Sequence, residues 1–62
     1  MTPIVKARAR KVLRLFTDGA NAAERGAARL RLVDMAEKAG VPVGDLMAAI
    51  GAPRNALDVP HA

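Results

Sequence analysis

Ten cationic side chains carry most of the chemistry available to this 62-residue chain. Nucleophilic catalysis needs Ser or Cys, or a Lys or Thr beside a base. Ser, Cys, Tyr, Trp and Gln are absent, and His61 stands one residue from the end. The remaining nucleophile types are Thr2, Thr17, Lys6, Lys11 and Lys38, with no His near them in sequence. Asp34 and Glu37 share a helix side, but Asp34 is placed to pair with Lys38 at i, i+4 on a wet face. Acid–base chemistry has almost no players. A non-enzymatic protein is expected, with no cofactor and no metal site; zero Cys also excludes disulfides and thiolate ligands.

The cations are unevenly placed. Residues 1–31 hold eight bases (Lys6, Arg8, Arg10, Lys11, Arg14, Arg25, Arg29, Arg31) against Asp18 and Glu24, a net of +6. Residues 32–62 hold Lys38 and Arg54 against Asp34, Glu37, Asp45 and Asp58, a net of −2. Such asymmetry points to an anionic partner for the first half, or to the acidic half packing near the basic one. The first five bases crowd one helix and repel one another, which an anion would relieve. All eight are candidate nucleic-acid contacts, binding phosphate with counterion release. Phe16 falls on the apolar stripe, so no aromatic interleaves them as a single-strand stacking platform would require. A solvated face that keeps a small protein soluble is the competing reading.

The elements that must position these charges are helices. Thr2-Pro3 is a helix start, since Thr caps and Pro suits the first helical position. Val5, Ala9, Val12, Leu13 and Phe16 form one apolar stripe at helical spacing. Asp18-Gly19 is a turn signal, and so short a connection makes the next helix an antiparallel neighbour. Asn21 caps that second helix, with Glu24 placed for a capping box and Gly40 for a left-handed stop. It carries two apolar sides: Ala28, Leu32, Met35 and Ala39, and separately Gly26, Leu30 and Val33. Two sides call for two neighbours, either a third helix or another copy of the chain. Val43, Leu46, Met47 and Ile50 mark a short third helix that Pro42 begins at its first position, ended by Gly51 and Pro53. The expected fold is therefore all-α. Helices at 3–16 and 22–39 form an antiparallel hairpin, with a third at 42–50. One domain occupies residues 1–51, and a flexible tail follows at 52–62, with Leu57 as a candidate anchor.

Residues 32–50 have the spacing of a helix-turn-helix. The second helix of that pair, however, offers Asp45 and no Arg, Lys, Asn or Gln to read base edges. A chain this short builds only a marginal core, and partner association is a common supplement. Ile4, Leu15, Gly26, Leu30 and Val33 are the candidate interface for a homodimer or a docked partner helix. No run approaches the length of a membrane span. The basic N-terminal residues lie inside an amphipathic pattern with no separate apolar segment after them, so no secretion signal is expected. A cytoplasmic setting fits the absence of Cys. A basic amphipathic helix on anionic lipid ranks below DNA, because the core already needs its apolar stripe.

One further pattern spans residues 6–47. Lys11-Val12-Leu13-Arg14-Leu15 is followed by Glu24, Ala27-Ala28, Met35-Ala36, Lys38 and Gly40-Val41. This resembles a family of short helical bacterial and phage domains of unknown function. Its members carry a basic Leu-rich helix, then E-A-x-x-A, then L-M, then a turn Gly with an aliphatic residue. The chain departs from that pattern at Arg25, where members often have Ala, and at Met35-Ala36, which replaces the L-M pair. The resemblance implies no established activity and transfers no site residues. Its phage and mobile-element setting implies a DNA-related or regulatory role. The expectation is a small regulator that holds DNA through backbone charge. The alternative is a protein-interaction module, acting as a homodimer or docking a partner helix.

Overall fold

The computed structural model describes residues 2–19 and 21–58; the expected tail beyond 58, including His61, lies outside them. Three helices follow in order: α1 at Pro3–Asp18, α2 at Ala22–Ala39 and α3 at Val43–Ala49. The fold is all-α, an antiparallel hairpin with a short third helix.

The start signals act as the sequence implies. The Val5 amide donates to Thr2 Oγ1 at 3.2 Å. The Glu24 amide donates to Asn21 Oδ1 at 2.8 Å. Helix α1 runs two residues past the expected stop at 16. Thr17 remains helical by donating its hydroxyl back to the Leu13 and Arg14 carbonyls, at 3.2 Å each, a local bond that Thr makes readily in helices. Helix α2 ends where Gly40 adopts φ 73°, and the Val41 amide donates to the Ala36 carbonyl at 3.1 Å. Helix α3 ends by the same geometry: Gly51 has φ 83°, and the Ala52 amide donates to the Met47 carbonyl at 2.9 Å. These are six-to-one bonds that close a helix end through a left-handed glycine. Pro42 caps α3 rather than entering it, a difference of one residue that boundary criteria routinely produce.

The core joins all three helices. Ala9, Val12 and Phe16 of α1 meet Ala28, Leu32 and Ala36 of α2, and Leu46, Met47 and Ile50 close the third side. Ala36 takes the buried place expected of Ala39, which is exposed; Ala28, Leu32 and Ala36 form a straight row one turn apart. Each large apolar side chain here contributes on the order of 1.5–3 kcal/mol by leaving water.

Beyond α3 the chain continues in turns. The Ala56 amide donates to the Pro53 carbonyl at 3.0 Å, and the Asp58 amide to the Asn55 carbonyl at 2.9 Å. Leu57 is buried with the core, the anchor its position suggested. Arg54 pairs with Asp45 of α3, and Asp58 lies 3.7 Å from the Arg29 guanidinium. The acidic half therefore does pack near the basic one at Arg29.

Candidate nucleic-acid interface

The eight bases of the first half fall into three groups. Arg25 is structural. Its Nη1 donates to the Gly19 carbonyl at 3.2 Å, tying α2 to the turn that precedes it. A Cβ at Gly19 would sit 2.4 Å from the Leu15 carbonyl oxygen and 2.9 Å from Arg25 Cγ. The turn is thus closed around a residue without a side chain. Arg29 faces Asp58. Among the described residues, no carboxylate lies within ion-pair distance of Lys6, Arg8, Arg10, Lys11, Arg14 or Arg31.

Those six do not form one surface. Lys6, Arg10 and Arg14 follow one another at i, i+4, i+8 on one side of α1. Arg10 and Arg14 flank a shallow recess with Leu13 and Thr17, and Asp18 closes its end. Arg8 and Lys11 stand on the other side, along a groove of about 650 Å³ between α1 and α2. Arg31 and Lys38 line that groove from α2. The spacing is responsible: at 3.6 residues per turn, residues 8 and 10 point in nearly opposite directions. The five bases that crowd α1 therefore wrap its exposed side instead of concentrating on a single face.

Among the described residues, the groove is lined by α1 and α2 alone. Val5, Val12, Leu15 and Met35 supply its apolar floor. Asp34 is its single acid, paired to Lys38 at 3.1 Å. Both partners of that pair are exposed, and such pairs contribute under about 1 kcal/mol. The expected Asp34–Lys38 ion pair is therefore present.

The five candidate interface residues also divide. Ile4 and Leu15 are 68% and 42% exposed, and Leu30 and Val33 are 67% and 37% exposed. Leu15 lines the groove, and Ile4 continues its stripe one turn before Arg8. Gly26, Leu30 and Val33 run along a different side of α2. Helix α3 leaves that side uncovered, and a Cβ on Gly26 would meet nothing within 4 Å.

Comparison with family models, with curated proteins and with solved structures gave no match to this chain. A functional reading therefore rests on the geometry.

The helix-turn-helix spacing is realised as α2, a Gly40 turn and α3, but α3 has only seven residues. Its one charged side chain, Asp45, is paired with Arg54. That helix has nothing to read a base edge with. Arg54, which the sequence placed in the tail, instead braces α3. Its backbone oxygen would lie 3.4 Å from a Cβ on Gly44, so the segment after α3 packs closely on its first turn. Among the described residues there is no cluster of three metal-ligating side chains, and no helix is long and apolar enough to cross a membrane.

Proposed function

We propose that this protein is a small non-enzymatic regulator that holds duplex DNA by its backbone. The contact is the Lys6–Arg10–Arg14 row of α1. The observation that carries this reading is a row of three exposed or half-buried cations, one helical turn apart, with no carboxylate in ion-pair range among the described residues. Successive members rise about 6 Å along the helix. Mutual repulsion along this row is relieved when phosphate replaces bulk counterions. Arg and Lys can reach guanine edges, but α1 carries no Asn or Gln beside them to fix a register. Contacts made to phosphate carry no sequence information, so binding is read as largely sequence-tolerant. The setting proposed with it is a DNA-linked bacterial or phage one in the cytoplasm, which is no more than the resemblance of residues 6–47 implies. The test is amide chemical-shift mapping with an unrelated duplex. Perturbations centred on Lys6, Arg10, Arg14 and Thr17 support the reading. A duplex that leaves α1 unperturbed removes it.

A second reading concerns Leu30. It stands in solvent beside Val33 and the open Gly26 site, which favours self-association through this side of α2. Sedimentation at rising concentration, with Leu30→Glu as the comparison, decides it. A monomer at all concentrations removes the homodimer.

A further inference from the structure

A different observation concerns the groove on the other flank. Ile4, Arg8, Lys11 and Leu15 lie at i, i+4, i+7, i+11, so apolar and cationic side chains share one stripe of α1. Arg31, Asp34 and Lys38 repeat the helical spacing on the facing side of α2. Between them Val12 and Met35 give an apolar floor. Among the described residues, no other part of the chain lines this face. Helix α3 contributes no lining residue. The segment after it lies on the opposite flank of α2, where Asp58 reaches Arg29.

We propose that this groove docks an acidic amphipathic helix of a partner protein. Two antiparallel helices with an apolar seam form the seat that a further helix fills in a bundle. From Val5 to Leu15 the seat is about 15 Å long, roughly three turns of a docked helix. Four cations against one acid on the rim select glutamate and aspartate beside the partner's apolar stripe. Charge of this kind chooses the partner and speeds encounter. A second copy is the wrong occupant by this face, because it would set these cations against their own duplicates. Nucleic acid is a poorer fit than at the Lys6–Arg10–Arg14 row. It would leave the apolar floor unused, and the only aromatic residue, Phe16, is buried.

The proposal is independent of the DNA reading and fails separately. The probe is a helical peptide of about five turns with a leucine stripe flanked by glutamates. It is titrated into the full chain and followed by fluorescence anisotropy and amide shifts. The expected result is saturable binding with perturbations at Val5, Leu15 and Met35. Affinity should fall at least tenfold in the Arg8→Glu, Lys11→Glu double variant. It should be restored when the peptide's glutamates become lysines, and be unmoved by Lys6→Glu, Arg10→Glu. Arg8, Arg10 and Lys11 are exposed and Lys6 is half-buried, and retained helicity by circular dichroism separates lost binding from lost folding. Three outcomes overturn the proposal: no binding, perturbations confined to Leu30 and Val33, or displacement of the peptide by duplex DNA or anionic vesicles with the same groove shifts.

Discussion

Arg25 Nη1 donates to the Gly19 carbonyl oxygen at 3.2 Å, closing the turn between the two long helices. Arg25, one of the eight candidate phosphate contacts, thus also ties α2 to the turn before it. Gly19 has φ −59°, which any residue adopts, so its lack of a side chain matters for space alone. A Cβ there would lie far inside contact distance of the Leu15 carbonyl, and backbone does not give way cheaply. Gly19→Ala should destabilise the fold by about 1–3 kcal/mol, the usual cost of overpacking. Urea denaturation measures it. Arg25→Ala should cost about 1 kcal/mol while changing the salt dependence of DNA binding less than Arg10→Ala does.

Two other glycines should respond with opposite signs. Gly26 is inside α2, with open space where a Cβ would go. Gly26→Ala should stabilise by roughly 0.5–1 kcal/mol through helix propensity. Gly40 is held at φ 73°, so Gly40→Ala should cost about 1 kcal/mol, the left-handed penalty for an L residue. Thermal unfolding of the two variants, measured side by side, checks the sign of each.

Asn21→Ala removes the side-chain acceptor of the Glu24 amide. Loss of such a cap costs about 0.5–2 kcal/mol. Hydrogen exchange should show the first turn of α2 opening more readily while the Leu32 amide keeps its protection.

Leu57→Ala should destabilise by about 2 kcal/mol or more, because the side chain is buried against the core. Leu32→Ala, with Leu32 fully buried, should cost about 2–5 kcal/mol. A domain this small has few kcal/mol in reserve, so that variant is expected to be largely unfolded by circular dichroism. A Leu57→Ala variant as stable as the wild type would mean that residues 52–58 are not part of the folded unit.

The helices were legible because their signals are local. Thr2, Asn21, Gly40 and Gly51 each act within five residues of themselves, and the Ala9–Val12–Phe16 stripe follows from periodicity. The split of the bases was also implicit in their spacing: residues 6, 10 and 14 keep one side and residues 8 and 11 another. What the sequence concealed was tertiary. Arg25 reaching Gly19, Arg29 meeting Asp58 and Arg54 pairing with Asp45 all depend on where a turn brings the chain back. The uncovered side at Leu30 and Val33 depends on which flank α3 takes, and two apolar stripes on α2 could not say which one it would cover. The candidate site was visible as an excess of charge, while its division into a cationic row and an apolar-floored groove came from packing.

The most direct test of the central claim is the salt dependence of binding to an unrelated duplex. It compares the wild type with Lys6→Ala, Arg10→Ala, Arg14→Ala. The logarithm of affinity should fall linearly with the logarithm of salt concentration. The triple substitution should flatten that slope by about 2–3 units, near one for each phosphate contact removed. Arg8→Ala, Lys11→Ala should flatten it less. A slope that the triple substitution leaves unchanged, or no binding by the wild type at low salt, contradicts the assignment of the α1 row to DNA.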